Sequence, residues 1–132
     1  MNVGRGLAIA SDTRKGSRMP LLTQAQRARL LANGSEKAAD RGFDPLPVVK
    51  LYLPDAKVCW LLAWIDPDAP DIAYGLCDTG LGCPVMTHVQ LSELEAIQGP
   101  NGYRVAVDHA FEPRYALSVY VSKAKRDGHV TD

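Results

Sequence analysis

The chain has 132 residues, of which 46% are hydrophobic and 23% charged, and its 15 Lys and Arg balance 15 Asp and Glu. This length and composition are typical of one soluble globular domain with a core of its own. No stretch of about 18 apolar residues is present, which excludes a membrane-spanning helix, and we expect no membrane partner. Three cysteines without a secretion signal argue against a disulfide framework and indicate reduced thiols in the cytoplasm.

Charge is distributed unevenly along the chain although the total is zero. Residues 1–41 carry eight Lys and Arg against three Asp and Glu, whereas residues 42–99 carry two against eight. Charge segregated in this way either steers a charged partner or belongs to faces that are simply solvated. We favour solvated faces, because charge runs usually have no further role.

The N-terminal part of the chain predicts a leader followed by a helix. Residues 1–18 are rich in Gly, Ser, Arg and Lys and lack apolar periodicity, which predicts a flexible leader. Met19 begins a segment typical of a natural protein start, so we interpret the leader as an upstream extension. Thr23 and Gln26 have the spacing of a capping box and predict a helix from residue 24. Gly34 suits the left-handed position after a helix and predicts its end.

Apolar segments separated by Pro-rich and Gly-rich turns predict the next part of the chain as consecutive strands. The strand over residues 58–65 is continuously apolar, so we expect it in the middle of a sheet, covered on both faces. Short turns between sequential strands favour antiparallel pairing. The four strands are predicted over residues 48–53, 58–65, 72–77 and 85–90.

The C-terminal part predicts two more helices around one more strand. Ser92 and Glu95 have capping-box spacing and predict a short helix. Alternating apolar residues predict a strand over residues 104–111, and helical spacing predicts a last helix over residues 114–126. The fold class is therefore α+β, a mainly antiparallel sheet of four to five strands with two to three helices packed on it. We expect one domain over residues 19–127 and a frayed tail over residues 128–132.

The central hairpin has a predicted register, because residues 66–71 read as its Pro-rich reversal. A reversal centred near Asp68 places Cys59 opposite Cys77, and cross-strand partners share a face of the sheet. The same register places Trp60, Trp64 and Tyr74 together on the other face. An aromatic face of this kind fills a core or lines a groove, and we favour a core.

No cofactor or metal site is predicted. The spacing from Cys77 through Cys83 to His88 is too loose for the short pairs of a zinc site. Asp residues within 66–71 lack the spacing of a calcium loop and are explained by turn chemistry. The glycines near residue 80 are not followed by the Lys-Ser/Thr of a phosphate-binding loop.

The loop over residues 78–84 is the predicted binding site. Its closely spaced Gly residues, together with Asp78 and Cys83, are more than a plain hairpin needs. The first helix, with two outward arginines, is the second candidate surface. The candidate residues are Asp78, Gly80, Gly82 and Cys83 in the loop, and Arg27 and Arg29 in the helix.

Several segments together carry a resemblance to a known family. In order, these are TQAQRARLLANG (23–34), PVVKLYL (47–53), DPDAPDIAYGLCDTGLGCP (66–84) and LSELE (91–95). They resemble the bacterial domain-of-unknown-function 2958 family over residues 19–122. The resemblance implies a small protein of plasmids and integrative conjugative elements, and it implies no activity and no functional residues.

We therefore favour an accessory protein that binds a macromolecular partner over an enzyme, although the sequence leaves catalytic activity open. A protein partner is favoured, nucleic acid has weaker support, and the sequence leaves the oligomeric state open. The alternative is a small metal-dependent or cysteine-based hydrolase that uses residues 66–88. In that case a thiol of Cys77 or Cys83 would need a base such as His88 or His109 beside it.

Overall fold

A five-stranded antiparallel sheet is the centre of the structure, a computed structural model that describes residues 20–132. The predicted α+β class is confirmed, and the predicted leader lies outside the described residues. The strands lie in the order β4-β3-β2-β1-β5. Their bounds are β1 Val49–Tyr52, β2 Cys59–Ile65, β3 Ile72–Asp78, β4 Val85–Gln90 and β5 Ala106–Val107, and the helices are α1 Gln24–Ala39, α2 Leu91–Ala96 and α3 Leu117–Asp127.

Strand β2 is the middle strand, as its apolar run predicts, and both of its faces are covered. One face packs against α1, and its core contains Leu30, Leu51 and Leu62. The other face packs against α3, and its core contains Leu61 and Tyr120. The sheet is therefore the middle layer of three, and each face has its own hydrophobic cluster.

The predicted register of the hairpin is wrong by two residues next to the turn, where Trp64 lies opposite Tyr74 instead of Ile72, and by one residue at the other end. Cys59 lies opposite Asp78, and Trp60 lies opposite Cys77. The reversal is centred one residue later in the chain than predicted, and an irregularity in β2 between Leu62 and Trp64 places one extra residue in that strand. Because side chains alternate between faces, an extra residue moves every later side chain to the other face.

The bulge separates residues that the sequence places together. Trp60 belongs to the cluster on the α1 face, whereas Trp64 packs against the cluster on the α3 face. The thiols are separated in the same way, since Cys77 packs on the α1 face and Cys59 lies beside Val130 on the other. The expected aromatic face with both tryptophans is therefore wrong.

Helix α1 begins as predicted but ends later than predicted. The side chains of Thr23 and Gln26 each accept a hydrogen bond from the other's backbone N–H, at 3.0 and 2.9 Å, which confirms the capping box. Gly34 lies buried in the middle of the helix instead of after it. A Cβ at this position would lie 1.8 Å from the carbonyl oxygen of Ile65, so glycine lets the helix approach β2 closely. The neighbouring Asn33 amide donates 2.9 Å to the carbonyl of the bulged residue, Ala63.

Helices α2 and α3 are capped by aspartates from distant loops. The predicted capping box of Ser92 and Glu95 is wrong, because α2 begins one residue earlier, at Leu91. Both the backbone N–H and the hydroxyl of Ser92 donate to the carboxylate of Asp71, at 3.0 and 2.7 Å. In α3, the N–H and hydroxyl of Ser118 donate in the same manner to Asp44.

The C-terminal part is shorter in regular structure than predicted and ends against the sheet. The predicted strand over residues 104–111 contains only the two residues of β5, and the last helix begins at Leu117. Residues 128–132 are predicted to fray, whereas the structure places Val130 in contact with the α3-face cluster. Lys50 donates 2.7 Å to Asp132. Within residues 20–132, no helix combines the length and the apolar character needed to cross a membrane.

We predict that Gly34→Ala destabilises the fold by about 1–3 kcal/mol, because the added methyl group clashes with the backbone carbonyl of Ile65 and cannot be accommodated without displacing backbone. Helix propensity alone would favour alanine by about 1 kcal/mol, so the sign of the change identifies the clash. Chemical denaturation measures the effect. Ser35→Ala, at the exposed neighbouring position, is the matched control and should not lower the free energy of unfolding. A stabilised Gly34→Ala variant would contradict the close packing of α1 on β2.

Candidate functional site

The loop predicted as the binding site begins at a buried carboxylate. Asp78 is the last residue of β3, and only 7% of its surface is exposed. One carboxylate oxygen accepts a hydrogen bond from Gly80 N–H at 2.8 Å, and the other accepts from Val130 N–H at 2.9 Å. Both oxygens are thus occupied by backbone, and the side chain ties the loop to the C-terminal tail.

The two loop glycines are explained by backbone geometry. Gly80 and Gly82 have φ angles of +82° and +85°, which disfavour other residues. A Cβ at Gly80 would also lie 2.5 Å from the carbonyl of Lys57, so this part of the loop packs on the turn between β1 and β2. Between the glycines, Leu81 is 82% exposed, and Cys83 is exposed as well. Together with Thr79, which is also exposed, these are the side chains that the loop offers to a partner.

The arginines of α1 lie far from this loop. Arg27 donates 3.4 Å to the carbonyl of Pro70, in the turn at the other end of β3 from Asp78. The seven residues of β3 span about 20 Å, so the structure does not bring the two predicted surfaces together. Arg29 is exposed and lines a cavity of about 560 Å³ between α1 and residues 43–48.

The acidic turn between β2 and β3 uses its carboxylates internally. Asp66 accepts a hydrogen bond from Asp68 N–H at 2.9 Å, and Asp71 caps α2. This agrees with the interpretation of these residues as turn formers. In residues 20–132, no three side chains of His, Cys, Asp or Glu are grouped so that they could hold a metal ion.

The environments of the β-strand thiols favour the protonated form. Burial raises the pKa of Cys59 to about 11, against the opposing charge of Lys50. The pKa of Cys77 is raised as well, mainly by burial and to a smaller extent by the negative charge of Asp78. A nucleophilic cysteine needs the opposite shift, because the thiolate is the reactive form. All three cysteines are free.

A polar cleft lies on the α3 face of the sheet, around Lys50. Its ammonium group lies 2.7 Å from the carboxylate of Asp132 and 3.7 Å from that of Asp108. Burial by itself lowers the pKa of Lys50, but the hydrogen bond and charge of Asp132 outweigh it and the pKa is raised. Cavities of about 280 and 420 Å³ share this lysine as a lining residue. The lysine charge is compensated within the protein, which favours a role in holding the tail.

Three aromatic side chains form a row across the α3 face, and the sequence placed only two of them, Trp64 and Tyr74, on one face. Trp64, Tyr74 and His88 occupy registered positions on β2, β3 and β4. The Trp64 and Tyr74 rings are stacked at 5.2 Å with 13° between their planes, and the Tyr74 and His88 rings lie 5.8 Å apart. We call these residues the aromatic row. Their spacing in sequence is irregular, so only the observed register, with its bulge, could have revealed it.

The aromatic row is only partly covered and borders an apolar cavity. Trp64 and Tyr74 are half-buried, and His88 is exposed. The ammonium group of Lys37 lies 5.1 Å from the centre of the Trp64 ring, within the range of a cation–π contact. A cavity of about 310 Å³ beside Trp64 is lined by Met86 from β4 and Val121 from α3. A flat, partly exposed aromatic surface next to such a cavity has the chemistry of a binding surface.

A family model described as "Protein of unknown function (DUF2958)" matches residues 21–131. The chain belongs to the DUF2958 family. Neither the comparison with curated proteins nor that with solved structures found a match. The matched part of the chain contains every helix and strand described above, so the aromatic row, the loop after β3 and all of the polar cleft except Asp132 are parts of the DUF2958 domain. The family description assigns no activity, so a function has to be argued from this geometry.

We predict that Asp78→Asn lowers the free energy of unfolding by about 1–3 kcal/mol, because an amide group cannot accept both backbone hydrogen bonds. Asp68→Asn is the matched control, since Asp68 is exposed in a turn and should tolerate the change. Thermal and urea denaturation of both variants measure the difference. If Asp78→Asn were as stable as the parent protein, the carboxylate would be available for a partner, as the sequence predicts.

We predict that alkaline pH destabilises the protein through Cys59. Its folded pKa, about 11, lies above the ordinary value of 9.0, so its contribution is complete below pH 9. The contribution decreases as pH rises from 9 towards 11, because the unfolded thiol ionises first. Urea denaturation between pH 8 and pH 11 should therefore show a smaller decrease in Cys59→Ala than in the parent protein. Cys83→Ala, which changes an exposed thiol, should keep the parental slope, and equal slopes in all three proteins would contradict the prediction.

Proposed function

We propose that this member of the DUF2958 family is a binding module that recognises a partner protein through the aromatic row. The single observation that carries this proposal is the partly exposed aromatic row, in which Trp64 and Tyr74 are stacked and the His88 ring is tilted beside them, on a sheet face that α3 covers only in part. Two rings already held at 5.2 Å lose little side-chain freedom when a partner covers them.

The chemistry around the row supports a protein partner. Protein interfaces are enriched in Trp, Tyr and Met, and the most important contacts are usually aromatic side chains that fill or line pockets. Met86 and the adjoining cavity of about 310 Å³ offer a place for an apolar side chain of the partner. Lys37, above Trp64, adds one positive charge for orientation.

Nucleic acid has less support as the partner, although aromatic side chains on a sheet also stack with bases. Nucleic-acid binding needs a basic surface for the phosphates. The row lies within residues 42–99, which carry two Lys and Arg against eight Asp and Glu. The net negative charge of this part of the chain favours a protein ligand.

The hydrolase alternative has less support than binding. It requires an activated thiol or a metal-binding group among residues 66–88, and burial raises the pKa of Cys77. Cys83 and His88 are separated by most of β4, about 16 Å along an extended chain, so this pair is not a thiol with its base.

The cellular setting is a part of the same proposal. The family resemblance supports an accessory role on a plasmid or integrative conjugative element, and the odd number of free cysteines supports residence in the cytoplasm. A partner protein encoded by the same element would support this setting, whereas a partner of the host's secretion pathway would contradict it.

We predict that Tyr74→Ala and His88→Ala each weaken partner binding about tenfold or more, because each removes a ring from the row. The partner is first isolated with the tagged full-length chain from its native host, and the purified pair is then titrated. Tyr52→Ala is the matched control, since Tyr52 is a partly exposed tyrosine on the same face of the same sheet, beside the polar cleft. Melting temperatures show whether the variants are folded.

The control distinguishes the two surfaces on this face. If only Tyr52→Ala lost binding, the binding site would be the polar cleft, and the proposal that the aromatic row binds the partner would be refuted. A ligand that proves to be nucleic acid, bound equally by the row variants, would refute both the surface and the class of partner.

A further inference from the structure

Strand β4 is an edge of the sheet, and within residues 20–132 no strand pairs with its outer side. In the same part of the chain, the carbonyl of His88 accepts a hydrogen bond only from the neighbouring Thr87 hydroxyl, at 3.4 Å. Just beyond the strand, Leu91 N–H donates 2.8 Å to the carbonyl of Asp71, so this pair is hydrogen-bonded towards β3. Bonded and non-bonded positions alternate along an antiparallel strand. The backbone groups of Met86, His88 and Gln90 therefore point away from β3. Among residues 20–132, none of their outward N–H groups has a partner.

The edge also lacks the features that normally protect one. Residues 79–90 contain no Asp, Glu, Lys or Arg, in a chain that is 23% charged. Val85 and Met86 are 51% and 39% exposed. Natural edge strands are usually shielded by charges, prolines within the strand or a covering segment, because a bare edge pairs with other strands. Six unprotected residues are enough to form a stable ladder with a second strand.

We propose that β4 pairs in an antiparallel manner with β4 of a second copy of this chain, about a two-fold axis at Thr87. Five-stranded sheets of the two copies then form one continuous ten-stranded sheet. The axis is perpendicular to the sheet, so the two α1 helices lie on one side and the two α3 helices on the other. The aromatic rows of both copies lie on the same face.

The side chains of β4 are complementary to themselves in this register. Val85 meets Val89 of the second copy, Met86 meets His88, and Thr87 meets Thr87. Apolar side chains thus meet across the α1 face, and a thioether meets an aromatic ring on the other face. No charge is buried or opposed at any pair, and this self-complementarity favours a second copy over an unrelated peptide. His88 and Met86 belong both to this pairing and to the surface around the aromatic row, so the dimer is tested at Thr87, whose side chain lies on the other face.

The backbone supports the same register. The axis at Thr87 pairs the outward groups of Met86 with those of His88 in the second copy, twice by symmetry, which gives four hydrogen bonds. Gln90 N–H adds a bond to the Pro84 carbonyl at each end, where proline has no N–H to leave unpaired. Each outward N–H group of β4 thereby gains a partner.

The mass of the full-length protein in solution tests the proposal. Size-exclusion chromatography with light scattering across a dilution series should give twice the 14.3 kDa mass of one chain at the higher concentrations. Thr87→Lys should give the mass of one chain, because two like charges then face each other at the axis. Ser35→Lys adds the same charge on the exposed side of α1 and should remain dimeric.

Disulfide trapping tests the register. In a Cys83→Ser background, Thr87→Cys should form an intermolecular disulfide under mild oxidation, because opposed residues at a non-hydrogen-bonded pair have Cα atoms about 4.5 Å apart. Val85→Cys should not, since the two Val85 residues lie about 13 Å apart. A monomeric parent protein at every concentration would overturn the proposal, whether residues 1–19 or another protein's strand occupies the edge. A dimer that Thr87→Lys leaves intact, or that only Val85→Cys traps, would overturn it as well.

Discussion

The close approach of α1 to β2 is the constraint on which the rest of the structure depends. Gly34 allows the helix backbone to lie against the carbonyl of Ile65, and Asn33 binds the carbonyl of the bulged Ala63. A helix normally packs on a sheet through intervening side chains, whereas here the helix backbone at Gly34 lies directly against the backbone of Ile65 in β2. The bulge and Gly34 depend on each other. The bulge leaves the carbonyl of Ala63 without a partner in the sheet, and Gly34 lets α1 approach closely enough for the Asn33 amide to bind it.

The bulge also decides which aromatic residues are available to a partner. Before it, Trp60 faces α1 and is buried in the larger cluster. After it, Trp64 faces the other side and stacks on Tyr74. A regular strand would have placed both tryptophans on one face, and the α3 side would have lost the first ring of its row. One extra residue in the central strand therefore separates the residue that stabilises the core from the residue that is offered at the surface.

Local sequence patterns predicted most helices and strands, but they do not determine the contacts and the strand register that join distant parts of the chain. The strand over residues 85–90 and the capping box of α1 were predictable, because an apolar run and a cap are both local. Gly34 was interpreted as a local helix end, although its role is a tertiary contact. Asp78 was selected for its setting among glycines, and that setting is explained by its bonds to Gly80 and Val130. The sequence placed Trp64 and Tyr74 on one face, but the stacking of their rings and the position of His88 beside them depend on the observed register, which the bulge alters.

The aspartate caps of α2 and α3 come from distant parts of the chain, so these two helices depend on other parts of the fold having formed first. Ser92 is 21 residues from Asp71, and Ser118 is 74 residues from Asp44. Helix α1 carries its own cap within three residues and can form from local information alone. The six-residue α2 is too short to persist by itself, and its cap exists only after β3 and β4 have paired, because that pairing places Ile72 opposite Gln90. Formation of the sheet is thus a condition for the later helices, which makes the transition between the unfolded and folded chain more cooperative.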